Sequence, residues 1–549
     1  LLFIKSIFLS IPRGFSIKKN VGSKCSIISI VFNANILPNS ADSVFGWGLL
    51  NWSKYQCLPI DATLNEVQGG DAFIAWPGAA VDGRAFVNSA FSNGATACLV
   101  EAQDGVKWNA TWSSLNAQSS AQLATYAGLK ADTGWIADAY YEQPSQSLKV
   151  LAVTGTNGKT STTWWLAQAL SSPVLRSPSG LVGTLGVGQL PHLSFTGMTT
   201  PDPVLLQRQF REFADAGLKY CAIEASSIGL SERRLDGTRI RVAVFTNFTQ
   251  DHLDYHGSMA DYWAAKEALF SWPGLQAAVI NVDDAQGEQL AAQLQTRGVA
   301  VWSCSRRGTA RLQACQIESS EGIAFDVVEG RQNITLSTSL IGDYNIDNLL
   351  GVIGSLRALG FSLEEAVQSC TYLTAVPGRM QRVASLKTDA PMVVVDYAHT
   401  PDAIDKALAS LRSLATQRGG RLWCLLGCGG DRDPGKRPLM AAVAEANADG
   451  VVLTSDNPRT ESPETILAQM IQGLQQVEKV VVEPDRSLAI QALMERVSVE
   501  DVVLVAGKGH ETYQEIQGVR HVFSDVEHVQ AALHRRCVNQ SHAARECKA

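Results

Sequence analysis

The sequence predicts an α/β protein. It points to a central parallel sheet of the kind that carries phosphate loops, followed by a C-terminal α/β domain of dinucleotide-fold (Rossmann-like) type. Three observations carry this. Strand-length apolar runs alternate with helical patterns from Leu148 onward, the signature of mostly parallel sheets covered on both faces. The run Lys149–Val153 leads into Thr154-Gly155-Thr156-Asn157-Gly158-Lys159-Thr160 and a helix-like segment through Leu170. Polar clusters follow directly on several of the apolar runs, at the strand ends where open α/β sheets bind ligands.

Taken in order, residues 1–41 are set aside from the fold. They carry Lys5, Arg13, Lys18, Lys19 and Lys24, no Asp or Glu, and many Ser and Ile. That composition matches an organelle transit peptide, and equally a translated upstream stretch or a disordered tail. Residues 42–147 form a mixed α/β domain. Asp71–Ala75 reads as a strand after the Gly69-Gly70 turn, Phe86–Asn93 as a helix and Ala97–Val100 as the next strand. Glu142–Gln146 reads as a linker. Residues 148–376 form a central domain, with strands expected at Lys149–Val153, Tyr220–Glu224, Val242–Thr246 and Ala277–Asn281. It continues with a β-rich stretch over Ala310–Leu340 and a helix over Asn345–Leu359. Residues 377–549 form the C-terminal domain, with strands expected at Met392–Asp396, Leu422–Leu426, Gly450–Thr454, Val480–Val482 and Val502–Ala506. No Gly-x-Gly-x-x-Gly fingerprint accompanies these strands, so NAD is not inferred.

The bulk properties narrow the class. The chain has 549 residues, enough for about three to four domains, and is 46% hydrophobic and 18% charged, ordinary for a globular protein. A net charge of -7 leaves no nucleic-acid footprint. The 11 cysteines are scattered without Cys-x-x-Cys spacing, which argues against a disulfide framework or zinc site and for a reducing compartment. No membrane span is expected, because no run of about eighteen apolar residues occurs.

The glycine turn before Lys159 is how a nucleotide-triphosphate site is written. Backbone N–H groups cradle phosphate oxygens at a helix N-terminus. Lys159 would reach the β/γ-phosphates and the Thr160 hydroxyl would hold Mg²⁺. Val153 stands where the usual pattern has its first glycine. Glu224, ending the run from Tyr220, offers a carboxylate for Mg²⁺ near the loop. Asp, His and Asn crowd the stretch from Thr246 to His256. Lys266 lies on an amphipathic helix, where a lysine alone reads as a solvated charge. In the C-terminal domain, Gly427-Cys428-Gly429-Gly430-Asp431-Arg432, Asp456-Asn457-Pro458-Arg459 and Gly507-Lys508-Gly509-His510-Glu511 each follow a strand. Converging on one edge, they would suit a small zwitterion: arginines for carboxylates, Glu511 for an amine.

The loop Thr154–Thr160 resembles the ATP loop of the Mur ligases and folylpolyglutamate synthetases. Asp251-His252-Leu253-Asp254-Tyr255-His256-Gly257 narrows the resemblance to the Mur ligases. Gly427–Met440, Asp456-Asn457-Pro458-Arg459-Thr460-Glu461 and Gly507–Glu511 narrow it to the MurE type, which adds the third residue of the peptidoglycan precursor peptide. The resemblance spans about Asp61–Val526 in consistent order. It implies three domains that bind in turn a UDP-sugar, ATP and an amino acid.

The resemblance also implies roles. ATP would sit on Gly155, Thr156, Asn157, Gly158, Lys159, Thr160 and Ser161, with Asn281, Asn345 and Arg379 near the nucleotide. Ala79, Ala80 and Val81 match the segment that receives the uridine end. Thr199, Thr200, Ser226, Glu232 and Arg234 match the rest of the UDP-N-acetylmuramoyl-L-Ala-D-Glu site. Lys266 matches a lysine that the family carbamylates, which would join Glu224 and His252 at a second Mg²⁺. Arg432, Asp456, Asn457, Pro458, Arg459, Gly507 and Glu511 match the amino-acid site, and the Asp-Asn-Pro-Arg form resembles enzymes adding meso-diaminopimelate. Lys159, Glu224, His252 and Lys266 would be the catalytic set of an ATP-dependent, ADP-forming amide ligase, expected to be monomeric and cytoplasmic, or organellar if residues 1–41 are an address. Four positions depart from the family's frequent residues: Ile228 where His is frequent, Ala62 and Thr63 where Asp61 would be followed by Ser-Arg, and Glu232 for Gln. They all touch the UDP side. A lysine-adding ligase and a non-catalytic nucleotide-binding descendant remain as alternatives.

Overall fold

The computed structural model describes residues 71–78, 82–103, 122–319, 322–384 and 390–546, with Gln122 and residues 537–546 as backbone only, together with the backbone of three strands nearer the N-terminus. Those three, β1 (Phe15–Asn20), β2 (Ile27–Phe32) and β3 (Leu50–Trp52), pair in the order β1-β2-β3. The remainder of residues 1–41, and Ala79, Ala80 and Val81, lie outside the described residues.

The contacts divide the chain into two units. The first holds the parallel sheet β4 (Ala72–Ala75), β5 (Ala97–Glu101) and β6 (Gln122–Tyr126). The helix expected over Phe86–Asn93 is a 3₁₀ turn, Gly83–Phe86, running into an α-helix over Val87–Ser92. Ile74 and Leu99 pack under Leu129, Ile136 and Ala137 of the helix Leu129–Tyr140. Pro201–Asp215 and Glu232–Thr238 also belong to this unit, and Val204 of the helix Pro203–Asp215 enters the same core. The stretch read as a linker ends in a 3₁₀ turn, Pro144–Gln146, whose first two residues are buried.

The second unit holds two sheets. The larger contains β7 (Lys149–Thr154), β8 (Ser179–Gly183), β9 (Gly186–Gln189), β10 (His192–Ser194), β11 (Tyr220–Glu224), β12 (Ile240–Phe245), β13 (Ala277–Asn281), β14 (Ala300–Ser305), β15 (Leu312–Ser319), β16 (Ile323–Glu329) and β17 (Gln332–Thr338). Their order is β10-β9-β8-β11-β7-β12-β13-β14-β15-β16-β17. The strands from β8 to β15 in that order pair in parallel, and the antiparallel pairs lie at the two edges. Strands buried on both faces need continuous apolar runs, and β7 and β11 have them. Trp165, Leu166 and Leu170 of the helix Lys159–Ser171 and Leu349, Val352 and Ile353 of the helix Asn345–Ala358 cover Leu151, Val153 and Val244.

The smaller sheet contains β18 (Gln381–Arg382), β19 (Met392–Asp396), β20 (Leu422–Leu426), β21 (Gly450–Leu453), β22 (Val481–Val482) and β23 (Val502–Ala506), in the order β18-β19-β23-β20-β21-β22. Side chains alternate between its faces with the period of two that a strand imposes. Met392 and Val394 pack with Ile404, Leu408 and Met440, whereas Val393 and Val395 pack with Ile490, Leu493 and Val529. The helix Pro401–Arg418 starts where Thr400 accepts the Ala403 N–H and Pro401 takes the first turn, which costs the helix no hydrogen bond. A hairpin of β24 (Tyr513–Ile516) and β25 (Val519–Val522) follows the sheet.

Candidate active site

The turn after β7 is built so that its backbone can approach a ligand. Gly155 has φ +145°, and a Cβ there would collide with the Thr246 hydroxyl at the end of β12, so no other residue fits. Thr246 Oγ donates to the Asn157 carbonyl at 2.6 Å, and the Asn157 N–H donates to Asn247 Oδ1 at 2.9 Å. The loop is thus clamped by the neighbouring strand's end. Lys159 opens the helix and donates to the carbonyls of Gly155 (2.9 Å) and Thr156 (2.8 Å). Burial pulls its pKa down, while Glu224 and Asp251 oppose that.

Glu224 ends β11 beside this helix and is 1% exposed. Its Oε2 accepts the Thr160 hydroxyl at 2.9 Å and its Oε1 accepts the Thr184 N–H at 2.8 Å. Burial pushes its carboxyl above the ordinary range against those donors and Lys159. The Thr184 hydroxyl lies 3.2 Å from Glu224 Oε2 and 3.1 Å from Thr199 Oγ. Thr200 donates to the Glu224 carbonyl at 2.7 Å and lies 3.1 Å from Ser226 Oγ. His252, in the left-handed region at φ +51°, holds Nε2 3.4 Å from Asp251 Oδ2. Lys266 is 1% exposed, donates to the Gly155 carbonyl at 2.7 Å and lies 4.3 Å from the Tyr262 ring centre. Burial and the nearby Lys159 charge push its pKa well below that of a free lysine. The lysine that read as a solvated charge is therefore a buried amine under the phosphate loop.

A cavity of about 510 Å³ opens over this loop. The sequence-predicted residues Thr156, Asn157, Gly158, Lys159, Thr160, Ser161, Glu224, His252, Asn281, Asn345 and Arg379 line it, and so do Thr199 and Ser226. Gly155, Thr200 and Lys266 stand behind that lining through the hydrogen bonds above. Asn281 donates to the Thr246 carbonyl at 2.9 Å, and Asn345 to the Ile341 carbonyl at 2.7 Å. Arg379 sits 4.6 Å from the Tyr397 ring centre. Several lining groups escaped the sequence reading. Arg306 pairs with Asp347 at 3.1 Å, and burial pushes Asp347 up to about 6. Lys406 is another, and its ammonium donates at 2.8 Å to Asp402 Oδ2, which stands behind the lining and also accepts the Asn157 side-chain N–H at 3.2 Å. Tyr397 and His399 follow β19, the one signal that pointed to them, and burial lowers His399 to about 4.

The amino-acid set lies outside this cavity and forms a cluster of its own. It occupies the loops after β20, β21 and β23, which are adjacent in the sheet. Arg432 is exposed, and Arg459 donates to the Gly430 carbonyl at 2.7 Å. Asp456, Asn457 and Pro458 are buried. Gly507 has φ +114°, and a Cβ there would press on Asp456 Oδ2. Asn457 Nδ2 donates to Glu511 Oε2 at 2.7 Å. Glu232 and Arg234 belong to the first unit, where Lys130 Nζ lies 2.5 Å from Glu232 Oε2.

The donors at Thr160 and Glu224 fit Mg²⁺. They are hard oxygens, one of them on a carboxylate whose burial leaves its charge uncompensated by water. Among the described residues no three His, Cys, Asp or Glu side chains converge as a ready metal site, so phosphate or carbamate oxygens would have to complete the ligand set.

Fold and loop define a nucleotide-binding α/β enzyme of the phosphate-loop class. Residues 153–356 match the Mur ligase middle domain, residues 378–509 the Mur ligase glutamate ligase domain and residues 60–129 the Mur ligase family catalytic domain. A UDP-N-acetylmuramoyl-L-alanyl-D-glutamate--2,6-diaminopimelate ligase of Acidovorax sp. (strain JS42) is 57% identical over 476 residues, covering 86% of this chain and 93% of that relative. The ligase of the same name from Pseudomonas aeruginosa is 44% identical over 468 residues, covering 85% and 93%. A solved structure bearing that name is 34% identical with a TM-score of 0.61, over 90% of this chain and 97% of the other. Mycobacterium tuberculosis folylpolyglutamate synthase complexed with ADP shares the fold alone, at 19% identity and a TM-score of 0.54 over 68% of this chain and 91% of the other. The chain belongs to the Mur ligase family.

Proposed function

We infer that the protein joins meso-diaminopimelate to UDP-N-acetylmuramoyl-L-Ala-D-Glu, at the cost of ATP, in peptidoglycan precursor synthesis. The observation that carries this is that one unit holds both a phosphate loop with Thr160 on Glu224 and, at the ends of β20, β21 and β23, Arg432 and Arg459 beside Asp456 and Glu511. The relatives' name supplies the substrates. In this reading residues 42–147 bind the UDP-sugar, residues 148–376 ATP and residues 377–549 the amino acid. Ala79, Ala80, Val81, Glu232 and Arg234 then contact the UDP-substrate together with Thr199, Thr200 and Ser226.

The D-Glu carboxylate attacks the γ-phosphorus of ATP, ADP leaves and an acyl phosphate forms. The diaminopimelate amine attacks that carbonyl, phosphate leaves and the amide remains. Two anions must meet in the first step. Lys159 and the loop N–H groups offset their charge, and Thr160 fixes the loop against Glu224; positioning and charge screening are the main catalytic terms for such transfers. Mg²⁺, held by Thr160 and Glu224, would supply further charge neutralisation. Two carboxylates on diaminopimelate match two arginines, and Glu511 matches an ammonium. The reading takes the enzyme as a monomer in a cytoplasmic setting, as its bacterial relatives suggest.

Phosphate release with Mg²⁺, ATP and UDP-N-acetylmuramoyl-L-Ala-D-Glu tests this. Release with meso-diaminopimelate and not L-lysine is expected. Release with lysine instead overturns the acceptor, and silence with both, alongside ATP binding, favours a non-catalytic descendant.

Carbamylation of Lys266 is part of the same reading. Only a neutral amine attacks CO₂, and burial keeps this one neutral at lower pH than a free lysine. A ¹³C-carbamate NMR signal from ¹³C-bicarbonate is expected. It should strengthen as pH rises through the lowered pKa and be absent in Lys266→Ala. A wild-type spectrum without it removes the modification.

Glu232 places a negative charge where the family frequently has a neutral Gln. Lys130 answers that charge at 2.5 Å. Lys130→Ala should raise the KM for the UDP-substrate roughly 2- to 5-fold, the scale of a partly exposed pair. The double variant Lys130→Ala/Glu232→Gln should return it to the wild-type value. A KM unmoved in both variants would separate Glu232 from the UDP-sugar site.

A further inference from the structure

Lys508, two residues past β23, carries an ammonium group into the protein interior, with its side chain 0% exposed. A buried charge persists only when its surroundings answer it, and here the answer comes from the two side chains that the amino-acid site needs. Lys508 Nζ donates to Asn457 Oδ1 at 3.0 Å and to Glu511 Oε2 at 3.1 Å. Asn457 Oδ1 also accepts the Glu515 N–H at 2.9 Å. With two donors on its oxygen, the Asn457 amide has one orientation open to it. Its Nδ2 therefore points at Glu511 Oε2, 2.7 Å away.

The consequence falls on Glu511. Among the described residues, both side-chain donors land on Oε2 and none on Oε1. One carboxylate oxygen is tied down, and the other is left to take a ligand. The charge balance agrees. Burial and the neighbouring Asp456 carboxylate push Glu511 toward its protonated form, while Lys508 and Asn457 hold it ionised. An ionised carboxylate is what an ammonium group needs as partner.

We propose that Lys508 is a positioning residue for the amino-acid acceptor, locking Asn457 and turning Glu511 so that Oε1 receives the acceptor's ammonium group. Lys508 itself touches no substrate atom. The proposal rests on the ligase reading above.

Steady-state kinetics of the full chain test it, with Mg²⁺, ATP and UDP-N-acetylmuramoyl-L-Ala-D-Glu held saturating and meso-diaminopimelate varied. Lys508→Met should raise the KM for diaminopimelate on the order of 10- to 100-fold, the scale of lost charge-assisted hydrogen bonds. The KM for ATP should stay within about twofold, and Lys508→Arg should not recover the loss, because a planar guanidinium cannot replace a compact, fully buried ammonium. A purely structural lysine would instead lower the melting temperature and leave the diaminopimelate KM unmoved in the folded fraction, and that result overturns the proposal. Where Lys508→Met does not fold, Lys508→Gln takes its place, and a wild-type diaminopimelate KM in that variant overturns it equally. A wild-type enzyme inactive with every diamino acid overturns the ligase reading itself, which these variants do not address.

Discussion

Lys159→Met should lose amide synthesis by about 10²–10³-fold or more, the scale on which one prepositioned charge donor contributes to a transition state. The lysine is already placed by its bonds to the Gly155 and Thr156 carbonyls, so little reorganisation precedes the reaction. The substitution leaves the clamp between Thr246, Asn247 and Asn157 untouched. The variant should therefore melt near the wild type and still bind ATP, more weakly. Single-turnover phosphate release separates this from a folding defect. Wild-type turnover in a folded Lys159→Met protein would remove this loop from the chemistry. Lys159→Arg should not rescue, because a planar guanidinium cannot reproduce a compact ammonium among loop carbonyls.

That prediction could be made from the sequence, because the loop's meaning is local. A buried strand, a glycine turn and Gly-Lys-Thr lie within a dozen or so residues, and the structure puts them at β7 and its helix. The strands β11, β13, β20 and β23 were equally legible as apolar runs. By contrast β8, Ser179-Gly180-Leu181-Val182-Gly183, has glycines and little periodicity. It is a strand because it pairs with β11, so tertiary context decides it. The helix Pro203–Asp215 announces an apolar face, but no pattern says that this face joins the first unit's core. Lys266 illustrates the limit at the site. On its own helix it is one lysine of an amphipathic pattern, and its bond to the Gly155 carbonyl, far away in sequence, is what no local pattern shows. Lys508 and Arg486 escaped for the same reason. A charge is buried by partners from distant loops, which no local pattern records.

Asp525→Asn should destabilise the protein by about 3–5 kcal/mol, the cost of leaving a buried charge without its partner. Arg486 and Asp525 are both 0% exposed and meet through two parallel bonds, Nε to Oδ1 at 2.7 Å and Nη2 to Oδ2 at 2.8 Å. The fork's remaining donors hold the Ala506 carbonyl at 2.9 Å and the Ser455 carbonyl at 3.2 Å. These are the last residue of β23 and the residue before Asp456. One guanidinium thus ties the C-terminal helix to the bases of two of the three loops that carry the proposed amino-acid site, those after β21 and β23. A buried ion pair can often be replaced by apolar residues of similar volume without loss, but here that exchange would also strip two buried carbonyls of a donor, at about 1–3 kcal/mol each. Arg486→Met/Asp525→Leu should therefore recover only part of the stability that either single change removes. Denaturant midpoints of the three variants, with unchanged slopes, measure this. Full recovery in the double variant would mean that the carbonyls find other donors and that the pair does not brace the loops.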